Sequence, residues 1–189
     1  AKAEETYKVA VKAIEKAGYK PGEEVCLALD VAATEMYDEA KKIGKEGQYH
    51  FWKIGVTKTC EEMIEFYEDL VSRYPIISIE DPFSEEDEEG FKLITEKLSK
   101  GLNIVGDDLF ATNKNELQKG IENKMCNSIL VKSNQIGTFL ETLETIILAK
   151  QNKYSFRIVT VKGDLINPSG AITGGSVAPK TVNILGRAR

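Results

Sequence analysis

Short apolar runs alternate with longer amphipathic segments along this chain. The apolar runs predict buried strands, and the amphipathic segments, whose apolar residues recur at helical spacing, predict helices. The predicted strands are 25–29, 48–53, 76–79, one that begins at residue 104, 127–131 and 154–161. The predicted helices are 4–16, 60–72, 86–98, 114–124 and 138–151.

Turn and cap residues support several of these boundaries. Gly18 provides a C-terminal stop for the first helix, and Thr59 can cap the helix that begins at residue 60. Strands separated by helices favour a parallel sheet, and strands that are apolar throughout indicate that both faces are covered. In such sheets the chemistry lies beyond the carboxyl ends of the strands.

The pattern changes near the end of the chain. Residues 162–176 are rich in Gly, Asn, Pro and Ser, which predicts a loop, and a polar tail follows. Because no further helix–strand unit follows, we expect an incomplete α/β barrel and not a closed eight-stranded one. The first residues look like the middle of a helix, so we also expect a truncated beginning.

Size and charge narrow the function classes. The chain has 189 residues, of which 42% are hydrophobic and 29% charged, as is typical of one globular domain with a sizeable core. The net charge is −5, and acidic and basic residues are interspersed. No broad basic field is therefore present, and we expect neither a nucleic-acid partner nor a membrane partner.

The cysteines and the hydropathy indicate a compartment. Cys26, Cys60 and Cys126 are odd in number and widely separated, which favours reduced thiols over a disulfide framework or a zinc site. No apolar stretch approaches the roughly 20 residues of a transmembrane helix, and the start shows no signal-peptide pattern. We therefore expect a cytoplasmic protein.

Four predicted strands end in a charged residue: Asp30, Glu80, Asp107 and Lys132. Because all four lie at carboxyl ends of strands in one parallel sheet, their side chains are expected to meet at one rim. Magnesium prefers oxygen ligands, and three converging carboxylates suit it better than they suit zinc, which would favour His or Cys. A lysine beside such a metal would have a lowered pKa and could act as a base.

Each of these residues also has a purely structural interpretation. Asp30 alone is compatible with a turn, and Glu80 with the end of a strand. Asp107 is compatible with a helix entry, and Lys132 with a solvated edge charge. The functional hypothesis therefore depends on the four residues occurring together.

Five blocks resemble the C-terminal barrel of the enolase (phosphopyruvate hydratase) family. In chain order they are A-I-E-K-A-G-Y-K-P-G-E-E-V, A-L-D-V-A-A-T-E-M-Y, S-I-E-D-P-F, V-G-D-D-L-F-A-T-N and L-V-K-S-N-Q-I-G. The resemblance covers about residues 1–152. It implies a partial TIM-type parallel β/α barrel and a magnesium-dependent lyase that interconverts 2-phosphoglycerate and phosphoenolpyruvate in glycolysis.

The resemblance also implies roles for individual residues. Asp30, Glu80 and Asp107 correspond to the magnesium ligands, and Lys132 to the base that removes the α-proton; Glu80, Asp107 and Lys132 would also contact the substrate. Enzymes of this superfamily use a Lys or His base with one or two magnesium ions that stabilise an ene-diolate.

The chain departs from the family pattern in ways that predict low activity. The N-terminal domain and the G-D-E-G-G-F-A-P segment, which carries the acid that assists hydroxide departure, are not in this sequence. Where the family has V-S-H-R-S-G-E-T, residues 158–164 read I-V-T-V-K-G-D. Because contacts that act together in a transition state are lost non-additively, we expect little or no turnover by this chain alone.

The tail has a resemblance of its own. Within residues 153–189, Y-S-F-R-I-V-T-V-K-G-D-L-I-N-P-S-G-A-I-T-G-G-S is followed by N-I-L-G-R-A-R. These residues resemble the closing part of the hinge domain of SMC chromosome-partition proteins, in which a glycine-rich stretch helps to form a dimer interface. We therefore divide the chain into an enolase-like barrel fragment, 1–152, and a hinge-like tail, 153–189, packed as a strand plus a loop. The alternative function is a dimerisation module of the hinge type, which would make the chain a homodimer, and a third possibility is a structural fragment that binds nothing.

Two other features have structural interpretations. Gly170, Gly174 and Gly175 are not followed by G-K-[ST], so they predict a turn-rich loop and not a phosphate cradle. His50 is the one histidine, with no nucleophile pattern beside it, and is expected to be structural.

Overall fold

The computed structural model describes residues 2–159, 165–166 and 172–173, with side chains described from residue 4 to residue 154. The helices are α1 Lys2–Lys16, α2 Thr34–Lys42, α3 Cys60–Arg73, α4 Glu88–Leu98, α5 Lys114–Glu122, α6 Ser133–Ile136 and α7 Phe139–Gln151. The strands are β1 Leu27–Asp30, β2 Tyr49–Phe51, β3 Val56–Lys58, β4 Ile76–Glu80, β5 Asn103–Gly106, β6 Ser128–Lys132, β7 Ser155–Val159, β8 Leu165–Ile166 and β9 Ile172–Thr173.

A single sheet organises most of the chain. Its strand order is β1-β4-β5-β6-β7-β8-β9, and each neighbouring pair from β1 to β7 is parallel. Strands β8 and β9 are added antiparallel at the β7 side. Within the described residues β1 and β9 do not pair, so the sheet stays open, as predicted for a partial α/β barrel.

The helices begin and end where local chemistry predicts. Thr59 and Glu62 form a reciprocal capping box at the start of α3, each side chain bonding the other residue's backbone N–H. Gly18 follows α1 with a φ of 87°, the left-handed conformation that glycine adopts without steric cost.

Aromatic side chains fill the core between the sheet and its helices. Phe83 is fully buried, and its ring lies 5.5 Å from that of Tyr49 and 6.1 Å from those of Tyr67 and Phe91, all in edge-on geometry. Such pairs contribute about 0.5–1.5 kcal/mol each beyond the area that they bury. The Tyr67 hydroxyl donates to the Pro82 carbonyl, 2.8 Å away, so this core is attached to the chain just after β4.

The structure adds elements that the sequence pattern did not predict. The polar segment after β1 contains α2, and residues 49–58 form an antiparallel hairpin of β2 and β3 where one strand was expected. Residues 162–176, predicted as a loop, contain β8 and β9. The prediction was wrong there because two strands of two residues each are too short to show a period.

The structure describes all three cysteines and the helices α1 to α7. Cys26, Cys60 and Cys126 are all free thiols. Among the helices that the structure describes, none combines the length and the apolar composition needed to cross a membrane.

Candidate active site at the carboxyl edge of the sheet

The four charged residues singled out in the sequence lie along one edge of the parallel sheet. Asp30, Glu80 and Lys132 are the last residues of β1, β4 and β6, and Asp107 directly follows Gly106, the last residue of β5. Asp30 and Glu80 are paired across β1 and β4 in the strand register. The predicted common rim is therefore present.

The register also places these side chains on one face. Glu80 lies beside Val105, and Val105 lies beside Ser128. Because side chains alternate between the faces of a strand, Asp107 shares the face of Val105, and Lys132 that of Ser128. The Lys132 amine donates a hydrogen bond to Oδ2 of Asp107, so these two side chains are in direct contact.

Glu80 is the most electrostatically perturbed member of the set. Burial, followed by the negative charges of Asp30, Asp107 and Asp81, raises its pKa from the ordinary 4.5 to about 7, and the Lys132 amine offsets only part of this. The carboxylates of Asp30, Asp107 and Asp81 thus add to the effect of burial, and a cation beside Glu80 would oppose both. The rim therefore favours the arrival of positive charge.

Lys132 differs from the sequence-based expectation. Burial acts to lower the pKa of its amine, as predicted, but the hydrogen bond with Asp107 and the charges of Asp107 and Glu80 act the other way, and the pKa is raised overall. The expectation of a lowered pKa assumed a bound cation. In the protein alone, the carboxylates at the rim hold the amine in its charged form.

Asp81 is a part of the site that sequence analysis did not single out. Its backbone has a positive φ of 39°, and its carboxylate is 5% exposed. One oxygen accepts the N–H of Asp107 at 3.0 Å and the other accepts that of Asp108 at 2.8 Å. Asp81 therefore holds the loop that carries Asp107, although burial outweighs these bonds and raises its pKa to about 6.

The arrangement contains two overlapping sets of acids. Oxygens of Asp81, Asp107 and Asp108 lie within 4.8 Å of one another, whereas Asp30, Glu80 and Asp107 do not form a group of that tightness in the described part of the chain. Both Asp81 oxygens, however, already accept backbone hydrogen bonds, and Asp108 is exposed. Asp107 belongs to both sets.

A second network approaches the rim from β6 and α6. The Gln135 amide donates to Oδ1 of Asp107 at 3.1 Å, and its carbonyl accepts from the Thr112 hydroxyl at 2.8 Å. The same hydroxyl accepts the backbone N–H of Lys132 at 2.9 Å. Gln135 is in the L-V-K-S-N-Q-I-G block but carries no charge, so the search for charged strand ends missed it.

The comparison with known families agrees with this geometry. Residues 1–172 match the family model described as enolase, C-terminal TIM barrel domain. The chain belongs to this family. An enolase C-terminal domain is an α/β barrel, and the open parallel sheet described above is part of one.

The match bears on the predicted division of the chain. It extends past residue 152, where we placed the boundary, and includes β7, which pairs in parallel with β6. The division at 152 and the hinge resemblance of the tail stay predictions, since Gly170, Gly174 and Gly175 lie outside the described residues. His50 contacts Thr57 across the β2–β3 hairpin, with 2.9 Å between Nδ1 and Oγ1.

Proposed function

We propose that this chain carries the magnesium and base half of an enolase-type active site, acting on 2-phosphoglycerate and phosphoenolpyruvate. The observation that supports the proposal most is the rim itself, where three strand-end carboxylates and one amine share a single edge and face. Membership of the enolase C-terminal domain family gives the reaction class. A cytoplasmic location is part of the same proposal.

The donor set fits a hard divalent cation. Asp30, Glu80 and Asp107 offer only carboxylate oxygens, which magnesium prefers. Burial, and then the charges of Asp30 and Asp107, raise the pKa of Glu80, and the second of these contributions would favour a bound cation. When bound, the cation would supply positive charge beside a substrate carboxylate as negative charge develops during proton removal.

Lys132 is proposed as the group that accepts the α-proton. Its side chain is 37% exposed, and its Nζ contacts Asp107 at the rim. To accept a proton the amine must be neutral, and the contact with Asp107 opposes this. Neutralisation of the Asp107 charge would therefore make Lys132 a better base.

Magnesium titration by calorimetry tests the metal site. We expect the wild type to bind Mg²⁺ and Glu80→Gln and Asp107→Asn to lose detectable binding, because each removes one carboxylate charge at nearly constant shape. Glu65→Gln, on the exposed face of α3, is the matched control and should bind as the wild type does. Equal binding by all four proteins would refute the proposal.

Two further variants separate the overlapping acid sets. Asp30→Asn should weaken binding if the set is Asp30, Glu80 and Asp107. Asp108→Asn should weaken it only if the cation sits on Asp81, Asp107 and Asp108. We expect the first result, since both Asp81 oxygens are already hydrogen-bonded to the backbone.

Turnover by this chain alone is expected to be very low. Residues 158–164 lack the Ser, His and Arg of the family segment that grips the substrate phosphate. A coupled assay for phosphoenolpyruvate should therefore detect little product at saturating 2-phosphoglycerate and Mg²⁺. Substantial product formation that Lys132→Met abolishes would show that this expectation is wrong.

A further inference from the structure

Asp107 is held by side chains on all sides. Its Oδ1 accepts the Gln135 amide and its Oδ2 accepts the Lys132 amine, while its backbone N–H donates to Asp81. The Asp107 side chain is 7% exposed, so water does little to orient its carboxylate. Removal of one partner therefore allows the Asp107 carboxylate to rotate.

Gln135 connects this carboxylate to the strand that carries the amine. Its carbonyl accepts from the Thr112 hydroxyl, which also accepts the N–H of Lys132. Thr112 is itself constrained, because it is fully buried at a φ of 56° and its carbonyl accepts from the Thr145 hydroxyl of α7 at 2.8 Å. Thr112 and Gln135 thus form a hydrogen-bonded bridge that connects the core to both Asp107 and Lys132 at the rim.

We propose that Gln135, held by Thr112, is a positioning residue that sets the orientation of the Asp107 carboxylate relative to Lys132. This inference rests on the proposed function, since it assigns to Asp107 and Lys132 the roles given there. The amide occupies Oδ1 and leaves Oδ2 as the oxygen that faces the amine. Partners of this kind, one step removed from a metal ligand, typically change metal affinity by roughly 10–100-fold when removed.

The first measurement needs no metal. In EDTA at fixed pH, Lys132 is acetylated with limiting acetic anhydride, and its modification rate is measured by mass spectrometry. Without Gln135 the Asp107 carboxylate can turn away from the Lys132 amine, which then reacts more readily. In Gln135→Ala we therefore expect the acetylation rate to rise about fivefold, the ratio that corresponds to the loss of one Lys132–Asp107 hydrogen bond of average strength. Gln118→Ala is the matched control, because Gln118 is an exposed glutamine that bonds only Glu122 in the described structure. An unchanged rate in Gln135→Ala would overturn the inference.

The second measurement is magnesium affinity by calorimetry on the same variants. Gln135→Ala should bind roughly 10–100-fold more weakly than the wild type. Wild-type affinity in Gln135→Ala would overturn the inference while leaving the proposed function intact. If the wild type binds no Mg²⁺, the proposed function fails, and the labelling comparison alone decides the role of Gln135.

Thr112 provides an independent variant pair. Thr112→Val keeps the branched shape but lacks the hydroxyl, so it should behave like Gln135→Ala in both measurements. Thr112→Ser keeps the hydroxyl and should behave like the wild type. If Thr112→Val and Thr112→Ser had equal melting temperatures and equal rates of Lys132 acetylation, the bridge through Thr112 would be excluded.

Discussion

Glu80 shows how one residue combines burial with repulsion. It ends β4 half-buried, beside the carboxylates of Asp30 and Asp107, and its pKa rises to about 7. An isolated strand-end glutamate on a protein surface would ionise near its ordinary value of 4.5. The difference arises first from burial and then from neighbours that are distant in sequence, Asp30 on β1 and Asp107 after β5.

This perturbation predicts how stability depends on pH without metal. Between pH of about 4.5 and about 7 the folded chain retains a proton on Glu80 that the unfolded chain has lost, so the free energy of unfolding falls as pH rises. Asp81, raised from 3.8 to about 6, acts in the same direction over a lower range. Urea unfolding in EDTA from pH 4.5 to 8 should show this decline.

The matched variant is Glu80→Gln, which cannot ionise. Its decline should be shallower than that of the wild type above pH 6, where Asp81 contributes little. Parallel curves for the two proteins would show that Glu80 ionises at its ordinary pKa in the folded chain.

At the scale of elements, close packing joins β5 and α5 through one aromatic ring. A Cβ placed on Gly106 would lie 2.6 Å from Phe110 Cδ2, and one placed on Gly120 would lie 2.7 Å from Phe110 Cζ. Both distances are shorter than real contacts allow, so Phe110 fits only because these two positions have no side chain. The ring is fully buried, and Phe110 belongs to the turn that follows Asp107.

Gly120→Ala therefore tests two opposing effects. Alanine favours a helix over glycine by about 1 kcal/mol, while overpacking in a core costs about 1–3 kcal/mol. Because the clash is with a fully buried ring, we expect net destabilisation of about 1 kcal/mol or more, measured by urea unfolding. Phe110→Leu should relieve the clash, so Gly120→Ala should be less harmful in that background than in the wild type.

At the scale of the whole molecule, one helix presents an exposed apolar face. On α7, Phe139 is 72% exposed, Leu140 66% and Ile147 54%, whereas Thr145 and Ala149 of the same helix are buried against the rest of the domain. Within the described residues β1 also has an edge without a neighbouring strand. Unpaired edges and apolar faces of this kind favour self-association.

An apolar dye should report the α7 face directly. The double variant Phe139→Gln with Leu140→Gln should bind less 8-anilinonaphthalene-1-sulfonate than the wild type, because its apolar surface is smaller. Its free energy of unfolding should change by no more than about 0.5 kcal/mol, since both side chains are exposed. Lys150→Gln on the same helix is the control, and an equal fall in dye binding there would contradict the assignment.

The sequence alone determined the order of the main helices and parallel strands and the positions of the charged strand ends. Apolar runs, caps and breakers act within a few residues, so the placement of Asp30, Glu80 and Lys132 at the ends of strands could be predicted, as could the α3 cap at Thr59. The tertiary structure alone decided which of these groups touch. Asp81 turns inward at a positive φ to hold the Asp107 loop, and Gln135 reaches Asp107 through Thr112. Those contacts depend on strand register and on backbone conformations that the core imposes, and no local pattern encodes either.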